Sequence, residues 1–426
     1  MKGMRMRKWT AMLMVLFALN GLPAAAAGSA VRLAVASDLH YIAPELTDHG
    51  AYFTRITENG DGKMMRWIEQ IADAWIDAML SDPPDAVILS GDLSFNGAVE
   101  SHRALAAKLE KLTASGIRVF VMPGNHDLCN RDAARFSGDS FKRVESVDPA
   151  GFREIYSAFG YADADASDSG SLSYMAELND EWSLLFLDAN TPEAPGFLRP
   201  ETLEWAEKQL SLANREGKSV LSVTHQNLLA HNAMFQSGFI INNAADLAAL
   251  FERYGVRLNL SGHMHLQHIA RTDSGLCDIA TSSLAVSPNQ YGMLEIRDGL
   301  ARYRTVQLDV SGWARKNEYT DPELLNFAEC SREFFKSMGL RKSLASIPQS
   351  EADARELVET LGEINALYFS GRTDRIAVSE EWIARWDAFS PFTALYLRSI
   401  LPDLGVNMCE TELLLKPAAA QERQGS

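Results

Sequence analysis

The stretch Val31-Arg-Leu-Ala-Val-Ala-Ser-Asp-Leu-His40 predicts a buried β-strand that leads directly into an acid and an imidazole. Side chains two positions apart in an extended backbone point to the same side, so Asp38 and His40 can bind one cation. One Asp-x-His sequence is a weak signal, because such short runs arise by chance. It gains weight here because the same arrangement recurs four more times.

Four further apolar runs, at residues 85–89, 117–122, 219–223 and 256–260, end in carboxylate, amide or imidazole side chains. The side chains that follow them are Asp92, Asn125 with His126, His225, and His263 with His265. Five strands that finish in such residues predict one shared site.

Helical patterns separate the strands, at Lys63–Leu80, Ala98–Ser115, Leu203–Arg215 and Ala244–Tyr254, with Asp61 as a candidate cap of the first. Strands that alternate with helices predict an α/β fold. Three strand-like runs without helices follow His265, at 277–284, 291–296 and 301–308. We expect these runs to form an antiparallel meander that completes a second sheet.

The chain changes character near Trp313. Helical periods cover residues 322–338, 351–368, 380–389 and 391–401, without histidine or ligand-spaced acids. These features predict a catalytic domain at 28–310, a helical accessory domain at 311–416 that packs on it, and a disordered tail at 417–426.

The first 27 residues have the composition of a signal peptide. A basic segment precedes the short apolar run Ala11–Leu19, and Ala25-Ala26-Ala27 offers a cleavage site. The apolar run is short for a bilayer span, which needs about 20 residues, so we expect a secreted protein without a stable membrane partner. The formal charge of −16 disfavours nucleic-acid polymers, whereas nucleotide-sized substrates stay compatible with it.

The strand-end side chains form a mixed nitrogen and oxygen ligand set: Asp38, His40, Asp92, Asn125, His225, His263 and His265. This set suits Zn, Fe or Mn rather than Ca or Mg, which prefer oxygen ligands. Two cations about 3.5–4 Å apart would clamp a phosphoryl centre, and a hydroxide held between them would attack it. His126 follows a proposed ligand directly, so we expect it to face the substrate and assist the leaving oxygen.

The ordered motifs Asp-x-His, Gly-Asp, Gly-Asn-His-Asp, Thr-His and Gly-His-x-His resemble the calcineurin-like metallophosphoesterase superfamily, over about residues 31–308. The resemblance implies a two-sheet β-sandwich flanked by helices, with His126 as the catalytic histidine. It also implies that Asp38, His40 and His265 hold one metal ion and that Asn125, His225 and His263 hold the other. Asp92 would bridge the two.

Within that superfamily, residues 38–41 and 91–97 resemble bacterial class III cyclic-nucleotide phosphodiesterases. Phe95 and Asn96 stand where protein serine/threonine phosphatases carry Arg and Asp, and Gln226 stands where many relatives carry a second His. The resemblance implies a small phosphate-ester substrate, with cyclic nucleotides favoured. Tyr41, Asn96 and His231 are candidate substrate contacts.

Alternative functions stay open. One is a phosphomonoesterase or nucleotidase on the same site; another is a metal-binding scaffold without catalysis; a third is a binding protein that uses the helical domain. We expect substrate choice to depend on loops and on the C-terminal helices. His102 lies on a charge-rich helix, which predicts a solvated side chain, and Cys129 is expected to be a small buried residue.

Overall fold

The computed structural model describes residues 30–344 and 352–416. The predicted signal peptide at 1–27 and the predicted tail at 417–426 lie outside this part of the chain. The strands, in chain order, are β1 (Val31–Ala36), β2 (Ala86–Leu89), β3 (Arg118–Val121), β4 (Ala134–Ser137), β5 (Ser140–Arg143), β6 (Ala166–Ser167), β7 (Tyr174–Glu177), β8 (Trp182–Leu187), β9 (Ser219–Thr224), β10 (Leu258–Ser261), β11 (His268–Arg271), β12 (Cys277–Ala280), β13 (Gln290–Arg297), β14 (Leu300–Gln307) and β15 (Glu410–Leu414).

Helices lie between these strands along the chain, and most of the helices after β14 are consecutive. They are α1 (Ala51–Glu58), α2 (Ile68–Ser81), α3 (Val99–Ala114), α4 (Pro149–Ile155), α5 (Pro200–Arg215), α6 (Ala244–Tyr254), α7 (Val310–Lys316), α8 (Pro322–Leu325), α9 (Phe327–Leu344), α10 (Ala352–Phe369), α11 (Glu380–Asp387) and α12 (Pro391–Ile400). Among the described residues, no helix is long and apolar enough to cross a membrane.

Two large sheets carry the fold. One has the strand order β15-β14-β13-β1-β2-β3, and the other has the order β11-β12-β10-β9-β8-β7-β6. Strands β1, β2 and β3 are parallel to one another, as are β8, β9, β10 and β12. The predicted α/β sandwich with a C-terminal helical region is confirmed.

The expected antiparallel meander is confirmed for the pairing of β13 with β14, but its placement in the second sheet is wrong. Strand β12 lies parallel to β10, whereas β13 and β14 pair in the first sheet, where β13 is antiparallel to β1. The end of the predicted helical region also differs, because β15 pairs with β14 in that sheet. The pairings of β13 with β1 and of β15 with β14 join residues far apart in sequence, and the local pattern of each strand does not encode its partner.

The core follows from the apolar spacing of the elements. Strand β1 is apolar at consecutive positions because both of its faces are covered, and Leu33, Ala34 and Val35 have no exposed surface. On α2, buried residues recur at helical spacing, and they include Ile71, Trp75 and Met79. Each large apolar side chain buried in this way stabilises the fold by about 1.5–3 kcal/mol.

The C-terminal helices pack directly on the segment that carries two predicted metal ligands. Met264 and Leu266 belong to one apolar cluster with Leu361 and Ile364 of α10 and Leu397 of α12. They alternate along the chain with His263 and His265, and all four residues line one cavity. The same short segment therefore connects the helical region to the candidate site.

Two local predictions are wrong. Helix α2 begins at Ile68 after a 3₁₀ turn at Met65–Trp67, so Asp61 does not cap it. Cys129 is exposed rather than buried, and it lies in the turn after His126 with a φ of 47°. None of the four cysteines, all of which lie among the described residues, forms a disulfide.

Candidate metal centre

The carboxyl ends of five parallel strands meet at one place. Asp38 and His40 follow β1, Asp92 follows β2, and Asn125 with His126 follows β3. His225 follows β9 in the second sheet. His263 and His265 follow β10 in the same sheet. The edge where such strands end is where α/β folds bind their ligands.

One group of four side chains offers donor atoms that lie within 4.8 Å of one another: Asp38, His40, Asp92 and His265. The Nε2 atom of His40 lies 3.1 Å from Nε2 of His265, 3.8 Å from Oδ1 of Asp38 and 3.7 Å from Oδ2 of Asp92. Tetrahedral ligands at about 2.0–2.2 Å from one cation lie about 3.3–3.6 Å apart. The observed spacings of 3.1, 3.7 and 3.8 Å lie within about 0.2 Å of that range.

A second group shares Asp92 with the first and adds His225 and His263. The Nε2 atom of His225 lies 3.4 Å from Oδ2 of Asp92 and 3.1 Å from Oδ1 of Asn125. The structure thus brings all seven predicted ligand residues together, with Asp92 between the two groups. We propose that these seven residues bind metal ions.

Two buried atoms of the first group, Oδ1 of Asp38 and Nδ1 of His40, have no hydrogen-bond partner in the described part of the chain. A buried polar atom without a partner costs about 1–3 kcal/mol, and a cation bound by the Asp38 oxygen would offset that cost. The Asp38 oxygen is one of the donor atoms that converge in the first group. The donor set and this orphaned atom together fit a pair of transition-metal cations.

Hydrogen bonds to backbone carbonyls orient two of the imidazoles. Nδ1 of His225 lies 2.8 Å from the carbonyl oxygen of Ser90, and Nε2 of His263 lies 2.8 Å from that of Gly238. When these nitrogens donate their protons, Nε2 of His225 and Nδ1 of His263 are left to bind a cation. Such outer hydrogen bonds typically fix the ring orientation of metal-binding histidines.

The backbone around these ligands is unusual. Five of the seven predicted ligand residues have positive φ angles of 48–69°: Asp38, His40, Asp92, His263 and His265. Non-glycine residues in that region each cost on the order of 1–3 kcal/mol and cluster at functional sites. Glycine is required at two nearby positions, because a Cβ at Gly124 would clash with Asp92 and one at Gly262 would clash with Ser37 and Asp38.

The electrostatics favour ionised carboxylates at the site. Burial opposes ionisation of Asp92, yet neighbouring histidines hold its pKa well below the usual range. Burial lowers the pKa of His263 to about 4. Burial also opposes protonation of His225, but Asp92 raises its pKa to about 9. A cation at Nε2 of His225 would therefore compete with a proton that Asp92 stabilises there.

His126 lies beside the seven residues and faces the cavity. Its Nδ1 atom lies 3.0 Å from the carbonyl oxygen of Phe95, and its Nε2 atom lies 4.0 Å from Oδ2 of Asp92. The Asp127 side chain does not orient it. Asp127 instead accepts hydrogen bonds from the backbone N–H groups of Leu93, Ser94 and Gly124, and thereby ties two of the site loops together.

The candidate substrate contacts Tyr41, Asn96 and His231 do not reach the cavity. The hydroxyl group of Tyr41 donates to Glu69, and the amide of Asn96 donates to the carbonyl oxygen of Asp132. The ring of His231 lies between His268 and Asp278. All three side chains are buried against protein partners, so their positions do not support a substrate role.

His102 also differs from the prediction of a solvated side chain. It has no exposed surface, and its Nδ1 atom lies 3.0 Å from the hydroxyl oxygen of Tyr156. Helix α4 and the residue after it cover this face of α3, with Phe152 packed edge-on against the imidazole. The contact comes from residues far along the chain, which the composition of α3 alone does not reveal.

Sequence reasoning missed two contributions to the site. Asp61 lies 3.5 Å from Nδ1 of His265 and 2.8 Å from the ammonium group of Lys63, so it can hold the outer side of that imidazole. Phe235 and Phe239 line the cavity from the loop after β9. The sequence does show both phenylalanines in the loop that follows His225, outside any helix or strand pattern. Their position near a predicted metal ligand was the signal that could have identified them.

The family model of calcineurin-like phosphoesterases matches residues 31–267, which include all seven strand-end residues and His126. The chain belongs to the calcineurin-like phosphoesterase family. Calcineurin-like phosphoesterases use two metal ions, and this one is a metal-dependent phosphoester hydrolase. A second model, the C-terminal domain of cyclic nucleotide phosphodiesterase, matches residues 309–406.

Several known proteins are similar to this calcineurin-like phosphoesterase. A probable cyclic nucleotide phosphodiesterase of Synechococcus sp. is 24% identical over 247 residues, which cover 58% of this chain and 80% of that protein. One of Vesicomyosocius okutanii is 21% identical over 183 residues, which cover 42% of this chain and 62% of that protein. A solved dimetal phosphatase of Danio rerio has 13% identity and a TM-score of 0.46, covering 65% of this chain and 95% of that one.

Proposed function

We propose that the chain is a phosphodiesterase that hydrolyses small phosphate diesters, with cyclic nucleotides as the favoured substrates. The observation that carries this proposal is the sharing of Asp92 by two groups of donor atoms, with His126 beside them. Two cations at such a centre would supply positive charge to both oxygens of a phosphoryl displacement and activate water as the nucleophile.

The chain's own residues have distinct roles in this proposal. Asp38, His40 and His265 would hold one cation, Asn125, His225 and His263 would hold the other, and Asp92 would bridge them. In its doubly protonated form, His126 would donate the Nε2 proton to the leaving oxygen and keep the Nδ1 proton, which the carbonyl of Phe95 accepts. The side chain of His126 is 37% exposed, so a bound ester can reach it.

The preference for cyclic nucleotides is supported by the relatives. Two curated proteins with 24% and 21% identity carry the name of probable cyclic nucleotide phosphodiesterases. The C-terminal model at residues 309–406 carries the name of the same enzymes. A nucleotidase or phosphomonoesterase on this site is the outcome that the experiment must separate from our proposal.

The test is a comparison of ester classes with the full chain. Purified protein, loaded in turn with Mn, Fe and Zn, is assayed on 3′,5′- and 2′,3′-cyclic nucleotides, on bis(p-nitrophenyl) phosphate and on p-nitrophenyl phosphate. We expect the highest kcat/KM on a cyclic nucleotide. A clear preference for the mono-ester would overturn the proposal in favour of a phosphomonoesterase.

We also propose that the protein is exported. The support is the pattern of residues 1–27, a basic segment followed by a short apolar run and three alanines. The N-terminus of the protein recovered from outside the cytoplasm is expected to start near Gly28. Recovery of uncleaved chain from the cytoplasm alone would contradict export.

A further inference from the structure

A cavity of about 510 Å³ extends from the candidate metal centre to the C-terminal helices. Its near end is formed by Asp92, Asn125, His126 and the two histidines after β10. The far end is formed by Phe335 of α9, Phe369 of α10 and Tyr396 of α12, together with Phe235 and Phe239 of the loop after β9. Its volume lies within the range of about 300–1,000 Å³ that is usual for small-molecule sites.

The aromatic side chains form a continuous wall that starts at a predicted metal ligand. The ring centroids of His263 and Phe239 are 5.5 Å apart, those of Phe239 and Phe235 are 5.8 Å apart, and those of Phe235 and Tyr396 are 5.9 Å apart. The ring centroids of two further lining residues, Phe335 and Phe369, are 5.1 Å apart. These separations are typical of interacting aromatic rings.

The lining of the cavity is poorly suited to a second negatively charged group on the substrate. Among the described residues that line the cavity, Lys336 is the single lysine or arginine. Its ammonium group lies 2.7 Å from Glu333 and 2.6 Å from Glu363, so its charge is already paired, and its aliphatic stem is left to face the cavity. An anionic group bound against the wall would lose its hydration without gaining an ion pair with an unpaired lysine or arginine. Burial of an unpaired charge is costly in free energy.

The rings of Phe235, Phe239 and Tyr396 are only half-buried. An apolar group that covers them would gain free energy from the removal of that surface from water. A flat ring would also gain aromatic contacts that a saturated group of similar size lacks.

We propose that this wall binds an uncharged aromatic group of the ester, so that the substrate class is phosphodiesters with a planar organic group and no second anion. A nucleobase meets that description. The proposal rests on the proposed phosphodiesterase function, and it adds that the C-terminal helices select the organic group of the substrate ester.

The experiment varies one ester group at constant leaving group. The metal-loaded full chain is assayed on methyl, benzyl, cyclohexylmethyl and 4-carboxybenzyl p-nitrophenyl phosphates. We expect kcat/KM for the benzyl ester to exceed that for the methyl ester by about tenfold or more, mainly through KM. The benzyl ester should also exceed both the cyclohexylmethyl and the carboxybenzyl esters.

Variants locate the effect. Phe235→Ala and Tyr396→Ala should lower the benzyl-to-methyl ratio, whereas Tyr396→Phe, which keeps the ring and loses the hydrogen bond to Asn365, should preserve it. Leu395→Ala is the matched control, because Leu395 lies beside Tyr396 on α12, is 55% exposed and does not line the cavity. Circular dichroism confirms that each variant folds.

A wild-type benzyl-to-methyl ratio near one would overturn the proposal, as would a ratio that neither alanine variant lowers. Equal rates for the benzyl and cyclohexylmethyl esters would overturn its aromatic part. Failure of the proposed function is distinguishable, because it appears as a preference for mono-esters or as no turnover. In that case calorimetric binding of benzylphosphonate against methylphosphonate tests the wall without turnover, and equal affinities would refute it.

Discussion

The Nδ1 atom of His126 lies 3.0 Å from the carbonyl oxygen of Phe95, and this contact determines which ring nitrogen can face a substrate. A carbonyl oxygen only accepts, so Nδ1 must donate its proton there. Nε2, on the side of Asp92, is then the atom that can carry a proton to a leaving oxygen. The imidazole is therefore held for proton transfer without being needed to bind a cation.

Replacing His126 with Ala should separate catalysis from metal binding. We expect kcat to fall by about 10²–10⁴-fold, the usual contribution of a positioned general acid, while metal content stays at the wild-type value. Mass spectrometry of bound metal and steady-state assays on the preferred ester measure the two quantities. His49→Asn serves as a histidine control on the surface, and wild-type turnover in His126→Ala would refute the assigned role.

Replacing Asp92 with Asn should lower both metal content and turnover. Asp92 has a φ of 48°, a conformation that Asn tolerates, so the change removes charge with little backbone strain. We expect metal affinity to fall by at least about tenfold, because both cations would lose a shared carboxylate. Metal content after dialysis measures the effect, with exposed Asp139→Asn as the control. Full retention of metal would contradict the bridging position.

The sequence was sufficient to predict which side chains converge at the candidate metal centre, because each lies within a few residues of the end of an apolar run. The carboxyl ends of parallel strands lie at the same edge of a sheet. Local patterns therefore located residues such as Asp92 and His225 without knowledge of the strand order. The strand order itself was not predictable in full. Strand β13 pairs with β1 although more than 250 residues separate them, and only the folded chain reveals that pairing.

Neighbourhood in sequence was a poor guide to substrate contact. Tyr41 directly follows His40, but it projects away from the cavity, where Glu69 accepts its hydroxyl proton. Three residues of the aromatic wall show the reverse case, because they are distant in sequence but line the cavity. Phe335, Phe369 and Tyr396 lie far along the chain from every ligand, and packing of Met264 and Leu266 against the C-terminal helices brings them to the cavity.

Replacing Asp61 with Asn should weaken the cation site that contains His265. The Asp61 carboxylate lies 3.5 Å from Nδ1 of His265 and is held by Lys63 at 2.8 Å. Loss of such an outer partner typically lowers metal affinity by about 10–100-fold. Titration of metal-free protein with Zn²⁺ or Mn²⁺ by calorimetry measures the change, with Asp82→Asn as a surface control. Unchanged affinity would show that Asp61 does not support the ligand.

The free energy of unfolding should respond to pH through Asp188. Burial raises the pKa of its carboxyl to about 6, so the folded state retains a proton that the unfolded state releases near its ordinary value of 3.8. The stability that this group contributes is therefore lost as pH rises from about 4 to 6. In Asp188→Asn this dependence is absent, and the stability of the variant relative to wild type should rise by up to about 3 kcal/mol across that window.

Urea unfolding at several pH values measures the difference between Asp188→Asn and the wild type, and exposed Asp180→Asn is the control. The pH dependence is the informative quantity, because the amide also changes the hydrogen bonds that Asp188 accepts from the N–H groups of Leu172 and Asn190 at every pH. Parallel stability curves for variant and wild type would contradict the raised pKa.

Removal of the Asp278 carboxylate is expected to destabilise the fold strongly. It has no exposed surface and accepts hydrogen bonds from the N–H groups of Leu228 and Leu229 at 2.7 and 2.9 Å. The side chains of Asn259 and Ser261 also donate to it, each at 2.9 Å. Strand β12 is thereby joined to the loop after β9, which carries His225 together with Phe235 and Phe239 of the aromatic wall.

Asp278→Ala leaves these donors buried without an acceptor, so we expect the free energy of unfolding to fall by about 3–5 kcal/mol. Urea unfolding in the presence of a chelator measures it, because bound metal would otherwise add its own stabilisation. Asp273→Ala, in the exposed turn before β12, should change stability by no more than about 0.5 kcal/mol. A loss below about 1 kcal/mol in Asp278→Ala would mean that water replaces the carboxylate and that the loop is not held by it.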